Sequence, residues 1–274
     1  MRESSARTPV DDAAVEAIYS FVSNSLVFLM PGENPQVPEW VATGIVFSTP
    51  KGRGVVLTAG HNIDRADREQ LRMGYYKCSN AIGNVVQGLV KPPPELGAEL
   101  DVAAVALSMA ATEPIRALML ADSAIAETSE VAPAFDSIVV GGFPSELLRT
   151  LRVTQRKDQK PLVDLGFASV TYGTGLQDPE HDERGRLRIA WDERVLPGGG
   201  VIKMPNPEGI SGGAVWRFRR PARDALWSPS SIGRIIGVPV SYAERTHTEF
   251  AEPVDKWRMW FLRTLVDIDA AFPV

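Results

Sequence analysis

Three side chains able to cooperate in attack on a carbonyl occur in settings that suit the task. Ser211 lies in Gly209-Ile210-Ser211-Gly212-Gly213, His61 ends Leu57-Thr58-Ala59-Gly60-His61, and Asp101 opens Asp101-Val102-Ala103-Ala104-Val105-Ala106-Leu107. A serine hydroxyl is a weak nucleophile at neutral pH and needs a base within reach, itself oriented by a third group. An imidazole can take the proton, and a carboxylate on its other nitrogen fixes the tautomer and stabilises the imidazolium. Glycines around Ser211 permit positive φ and close approach of a substrate backbone. In such a loop the N–H groups of Gly209 and Ser211 can converge on a developing oxyanion. Each motif alone is ordinary: a glycine turn, a strand-end histidine, an aspartate at a turn. Their conjunction, in strand contexts, argues for chemistry.

The elements that must position them are short strands. Apolar runs cut by Gly, Pro and polar clusters place strands at 26–30, 41–47, 54–59, 72–77, 81–90, 102–107, 137–141, 187–191, 214–218 and 232–240. Many short strands with turn signals between them suggest a sandwich or barrel. His61 then leaves the end of a buried strand, and Asp101 stands at the mouth of another. A helix is expected at the start, where Thr8 can cap, Pro9 fits the first position, and Val15, Ile18, Tyr19 and Val22 share a face. Another is expected at the end, opened by Pro253, with Trp257, Trp260, Phe261, Leu265 and Ile268 as a core stripe. The segment 144–205 reads as long and uneven, with charge runs that suit solvated surface or a specificity loop. Arg217, Arg219, Arg220 and Arg223 read as a solvent-facing basic cluster.

Bulk properties narrow the function classes. The 274 residues are 44% hydrophobic and 23% charged, an ordinary globular balance, and a net charge of −5 offers no footprint for nucleic acid or an anionic membrane. No apolar run is long enough to span a bilayer. The N-terminal residues lack the signature of a signal peptide, and the single cysteine, Cys78, forbids an internal disulfide, so a cytoplasmic location is expected. Cys78 reads as a plain half-buried thiol. Three scattered histidines and one cysteine make no metal-ligand set, and no cofactor is expected.

The three motifs resemble those of the chymotrypsin-fold (trypsin-like) serine proteases. LTAGH is similar to the family's L-T-A-A-H-C, DVAAV to its D-I-A-L-L, and GISGG to its G-x-S-G-G, in the family's chain order of His, Asp, Ser. Softer likenesses are Thr43-Gly44-Ile45-Val46 before the histidine strand, 137–144 with the V-x-G-Y/F-P segment of the bacterial branch, and Ile235-Ile236-Gly237-Val238 after the serine. The resemblance covers about residues 25–270. It implies an all-β fold of two packed six-stranded antiparallel β-barrels with short terminal helices. The expected division is an N-terminal helical extension (1–24), a first barrel carrying His61 and Asp101 (25–125), a second carrying Ser211 (126–252), and a C-terminal helix on the barrels (253–274). It also implies a serine endopeptidase acting on protein or peptide substrates, with Ser211 as nucleophile, His61 as base, Asp101 as its orienting partner, and Gly209 and Ser211 N–H groups as oxyanion hole.

The departures are informative. Asn62 stands where the family often has cysteine. Ile210, not aspartate, precedes Ser211, so activation by a new N-terminal ammonium is not expected; the HtrA-type and glutamyl-endopeptidase-like branches share that feature, although too few residues remain after about 245 for a PDZ domain. Pro205 holds the position where trypsin has the aspartate that fills its pocket for basic side chains, so trypsin-type cleavage after Arg or Lys is not supported. Glu208 could contact substrate or face water, and His247 could read a substrate carboxylate but reads better as a solvent-exposed loop residue.

Two alternatives compete. An α/β-hydrolase also uses G-x-S-x-G, but it needs a helix after the serine and both partners downstream; 214–218 reads as a strand, and the residues after Ser211 are too few. The other is a latent or protease-like binding module, in which a protein activator must order the 144–205 segment before the site assembles.

Overall fold

Residues 26–30, Leu-Val-Phe-Leu-Met, are all buried, and so are Gly54–Thr58 and Ala103–Leu107. A strand that is apolar at every position must be covered on both faces. Here the two faces go to different cores. Val27, Leu29, Val46, Val56, Met73 and Val105 form a cluster confined to the first sheet and the segments beside it. The alternating residues Leu26, Phe28, Ile45, Phe47, Val55 and Leu57 join a larger cluster shared with the second sheet and the C-terminal helix. A computed structural model describes residues 9–30, 41–64, 71–75, 85–97, 99–132, 136–147, 149–156, 159–166, 169–191, 194–195, 201–202, 204–221 and 226–272.

The first sheet has six strands: β1 (Leu26–Met30), β2 (Ala42–Ser48), β3 (Gly54–Thr58), β4 (Arg72–Tyr75), β5 (Val86–Val90) and β6 (Ala103–Leu107), in the antiparallel order β4-β1-β2-β3-β6-β5. Later in the chain come β7 (Asp136–Gly142), β8 (Arg149–Arg156), β9 (Gln159–Gly166), β10 (Val170–Thr174), β11 (Leu176–His181), β12 (Leu187–Ala190), β13 (Arg194–Val195), β14 (Val201–Ile202), β15 (Ala214–Arg219), β16 (Gly233–Ala243) and β17 (Thr248–Pro253). The second sheet is seven-stranded, in the order β10-β7-β15-β16-β17-β12-β11. Its two edge strands, β10 and β11, are separated in the chain by Gly175 alone, so the sheet must curl until its edges meet. The Gly175 carbonyl accepts from Ala190 N–H at 3.0 Å and Thr174 Oγ1 donates to the Ala190 carbonyl at 2.6 Å. One strand bent at Gly175 thus gives the expected six-strand barrel a seventh segment.

The expected strands agree with the observed ones to within a few residues where both are described; residues 76–77 of the expected 72–77 strand and 81–84 of the expected 81–90 strand lie outside the described residues, as does Cys78, and the described part of the latter is Val86–Val90. The uneven segment 144–205 needs correction. It contains a separate hairpin, β8–β9, the β10–β12 part of the second barrel, and the small β13–β14 pair. Strand β17 carries no strand signal in its sequence, TEFAEP.

The N-terminal helix (Pro9–Asn24) buries Val22, sets Phe21 edge-on to Trp216 with centroids 5.3 Å apart, and offers Tyr19 Oη to the Gly173 N–H at 3.2 Å. Thr8, the expected cap, lies outside the described residues. The C-terminal helix (Val254–Ala271) buries Trp257, Phe261, Leu265 and Ile268, while Trp260 is only partly buried. Although it follows the second sheet, it is fastened to the first. Thr49 Oγ1 and Lys51 N–H donate to the Asp269 carboxylate at 2.6 and 2.8 Å, and the buried Arg53 donates to the Phe272 carbonyl at 2.9 Å.

Candidate active site

Strands β3 and β6 pair so that Thr58 faces Ala103. The chain continues beyond Thr58 into a one-turn helix, Gly60–Asp64, and enters Ala103 from Asp101. His61 and Asp101 therefore meet at the same end of the sheet. The imidazole Nδ1 lies 2.6 Å from Asp101 Oδ2, and the His61 backbone N–H donates to Oδ1 at 2.8 Å. Gly60 makes this fit: a Cβ there would stand 2.9 Å from Asp101 Oδ1. Burial pushes the Asp101 carboxyl up, but the bond and charge of the His61 ring and the N–H groups of His61 and Gly60 outweigh it, leaving the carboxyl below its ordinary value.

Ser211 sits on a tight turn held against the same edge. Gly209 and Gly212 have φ of 95° and 88°, values that favour glycine. The turn approaches β2 so closely that a Cβ on Gly212 would fall 2.2 Å from the Thr43 carbonyl. Thr43 N–H and Asn62 Nδ2 both donate to the Ser211 carbonyl, at 3.1 and 3.0 Å, and Thr43 Oγ1 donates to the Gly209 carbonyl at 2.6 Å. Asn62 follows His61 directly, so the serine turn and the histidine turn share a fastening. Among the described residues no hydrogen bond joins the Ser211 hydroxyl to the His61 ring; such bonds are often long without substrate and tighten with it.

Within the turn, Ile210 N–H donates to Pro207, Gly212 N–H to Pro239 and Gly213 N–H to Ile210. The N–H groups of Gly209 and Ser211 have no hydrogen-bond partner among the described residues. The Glu208 carbonyl is held from behind by Ser145, whose N–H and Oγ donate to it at 2.7 and 3.1 Å. A trans peptide is planar with its C=O and N–H opposed, so this tether turns the Gly209 N–H away from Ser145. Ile210 is fully buried, with Gly142 so near that a Cβ there would fall 2.9 Å from it. An apolar contact thus anchors the residue before the serine.

The remaining candidates separate. Glu208 is exposed. Pro205 is buried, and its carbonyl accepts from Trp191 Nε1 at 2.9 Å. His247 is exposed in the left-handed region, φ 45°, with its Nδ1 3.1 Å from Tyr242 Oη. Pro205 and His247 line a pocket of about 840 Å³ beside the serine turn, together with Trp191, Met204, Pro207 and Tyr242. A larger cavity of about 1020 Å³ lies at the other end of β15, lined in part by Arg217, Arg219 and Arg220; Arg223 is outside the described residues. No sequence motif marks Ser145 or Glu249, or the part played by Asn62. A serine in a proline-flanked turn and a glutamate in a charged strand carry no local signal of their contacts. Among the described residues no His, Cys, Asp and Glu cluster could hold a metal ion, and no helix is long and apolar enough to cross a membrane.

Neither a protein-family model nor a curated protein matches the chain. Among solved structures, a serine endoprotease from Yersinia pestis is similar over 96% of this chain and 68% of its own, at 15% identity and a TM-score of 0.51. A protease from M. tuberculosis in its active form is similar over 100% of this chain and 96% of its own, at 17% identity and a TM-score of 0.48. A Glu endopeptidase is similar over 91% and 92%, at 11% identity and a TM-score of 0.49. The likeness to the Yersinia structure is one of fold, and with the two antiparallel sheets and the C-terminal helix it identifies this chain as having the trypsin-like double-barrel fold of the serine proteases.

Proposed function

We propose that the chain is a serine endopeptidase that hydrolyses peptide bonds in protein or peptide substrates. Its first barrel (25–125) supplies His61 and Asp101, and its second (126–252) supplies Ser211. Ser211 Oγ attacks the scissile carbonyl while His61 Nε2 takes the hydroxyl proton. Asp101 stays ionised, holds the proton on Nδ1 and stabilises the imidazolium. The oxyanion is received by the N–H groups of Gly209 and Ser211. His61 then gives its proton to the leaving amine, and a water repeats the cycle on the acyl-enzyme. A chain with a single cysteine suits the reducing conditions of an intracellular processing enzyme.

The observation that carries this reading is the unpartnered pair of N–H groups on the glycine turn, fastened through Asn62 beside the His61–Asp101 pair. Buried-side backbone donors are ordinarily paired, and a turn that pairs its other N–H groups while leaving these two is suited to a transient anion. Covalent labelling with a fluorophosphonate probe tests it. Labelling of the wild type that vanishes in Ser211→Ala is expected; equal labelling of both proteins, or none of either, would sink the proposal.

A further inference from the structure

We propose that Glu249 selects the substrate side chain that precedes the scissile bond, taking the ammonium of lysine or the guanidinium of arginine. This rests on the endopeptidase reading and gives it a substrate class. The pocket of about 840 Å³ is walled by Met204, Pro205 and Pro207, the segment that runs directly into Gly209. With Pro207 two residues before Gly209, the pocket adjoins the turn whose Gly209 and Ser211 N–H groups would receive a substrate carbonyl oxygen, and the side chain of that same residue is the one it would take.

Strand register then brings an acid beneath its walls. Glu249 on β17 lies directly opposite Tyr242 on β16 and Ile189 on β12. Residues directly opposite in antiparallel strands point to the same face, and so do residues two apart on one strand. Tyr242, which lines the pocket, therefore shares its face with Glu249, and Trp191, another lining residue, continues the row from Ile189.

Glu249 is 1% exposed, and its Oε2 is buried with no hydrogen-bond partner among the described residues. Burying a carboxyl without a partner is costly, and the other buried acids avoid it: Glu252 meets Lys256 Nζ at 3.3 Å, and Asp269 takes Thr49 and Lys51. An acid with one oxygen left unpaired, on the face it shares with the pocket's Tyr242, has a reason to stay if that oxygen's partner arrives with the substrate. Aromatic walls suit the alkyl stem of lysine or arginine. Glu146 and Glu244, both exposed at the rim, add negative potential against the single His247. Pro205 offers no charge, so the reading of a basic side chain passes to a different strand.

The test uses matched fluorogenic peptides that differ only in the residue before the scissile bond: Lys, Arg, Gln, Glu or Phe. With wild-type protein, kcat/KM for Lys or Arg should exceed that for the near-isosteric Gln by about a hundredfold, the scale of a buried charge pair. In Glu249→Gln the Lys-to-Gln ratio should fall close to one. A wild type that does not prefer Lys or Arg overturns the inference without any variant, and so does a Gln variant that keeps the preference. Fluorophosphonate labelling of the same wild-type sample separates the two levels: labelled protein lacking the preference removes the role of Glu249 alone, whereas unlabelled, inactive protein removes the endopeptidase reading with it.

Discussion

The Ser145 N–H and hydroxyl both donate to the Glu208 carbonyl, at 2.7 and 3.1 Å. Ser145 follows β7, the Glu208 peptide leads into the serine turn, and the two segments lie more than sixty residues apart in the chain. What the tether fixes is the orientation of one peptide plane. With the carbonyl held, the attached N–H of Gly209 has one direction open to it. Ser145 is thus a positioning residue for the proposed oxyanion hole and touches no reacting atom.

Two substitutions at this position should separate its two bonds. Ser145→Ala removes only the hydroxyl, so kcat should fall by about two- to tenfold, the worth of one ordinary hydrogen bond. Ser145→Pro removes the N–H as well. It also sets a ring carbon against the Glu208 carbonyl that the N–H now holds at 2.7 Å, so that peptide must turn away, and kcat should fall by about a hundred- to a thousandfold, as for a lost oxyanion donor. Stopped-flow acylation with a peptide ester reads both. A proline variant as fast as wild type would mean that the 208–209 peptide holds its orientation unaided.

Asp101→Asn tests the orienting partner. The amide keeps the shape but offers His61 the wrong tautomer, and kcat should drop by about 10⁴ at neutral pH. The carboxyl of Asp101 lies below its ordinary value in the folded state, so its contribution to stability is present above the unfolded value, 3.8, and is lost as pH falls through the lower folded one. Denaturation midpoints of wild type and Asn variant should therefore converge below about pH 4. A variant whose rate stays within tenfold of wild type would remove Asp101 from the mechanism.

Thr43 links the two barrels at the site. Its Oγ1 donates to the Gly209 carbonyl at 2.6 Å and accepts from the Phe143 N–H at 2.9 Å, with no exposure to solvent. Thr43→Val keeps the shape and strands both partners, each at a cost of about 1–3 kcal/mol. Urea unfolding should show a loss of about 2–6 kcal/mol, with Ser211 labelling slowed in step. Thr43→Ser, which retains the hydroxyl, should recover most of both. Equal loss in the serine variant would assign the effect to the missing methyl group.

The sequence was most legible where a strand is buried on both faces. Runs such as Gly54–Thr58 and Ala103–Leu107 contain nothing but small and apolar residues and one threonine, so their strand character and ends are plain. His61 and Asp101 stand just beyond those ends, and glycines mark the turn around Ser211, so the local settings of the three candidates are legible too. Legibility failed where pattern and role part company. Arg149–Arg156 reads as a charged surface run, yet it pairs with Gln159–Gly166 in a two-stranded sheet whose ladder is made by backbone groups. Thr248–Pro253 carries two glutamates and a proline, which argue against a central strand, but it lies between β16 and β12. Burial of Glu249 is a tertiary fact: its face follows from register with Tyr242 and Ile189, which no local spacing reveals.

That burial has a consequence for stability with a definite sign. Burial pushes the Glu249 carboxyl well above the ordinary glutamate range. Between the unfolded value of 4.5 and the higher folded one, the native state keeps a proton that the unfolded chain has released. Stability must then fall as pH rises through that window, by up to about 1.4 kcal/mol per pH unit for one proton. Glu252 is shifted in the same direction, and Asp101 and Asp182 in the other, so the wild-type curve alone would mix their effects. The difference between wild type and Glu249→Gln isolates one group, because glutamine does not titrate. Urea unfolding from pH 4 to 8 should show the variant gaining on wild type as pH rises above about 4.5, where the buried acid begins to cost the native state. A lysine- or arginine-based peptide aldehyde should flatten the wild-type curve, since a bound cation lets the carboxylate ionise in place. Parallel curves for the two proteins would mean that Glu249 already has a charge partner in the folded chain, and the carboxyl would then be unavailable to a substrate cation.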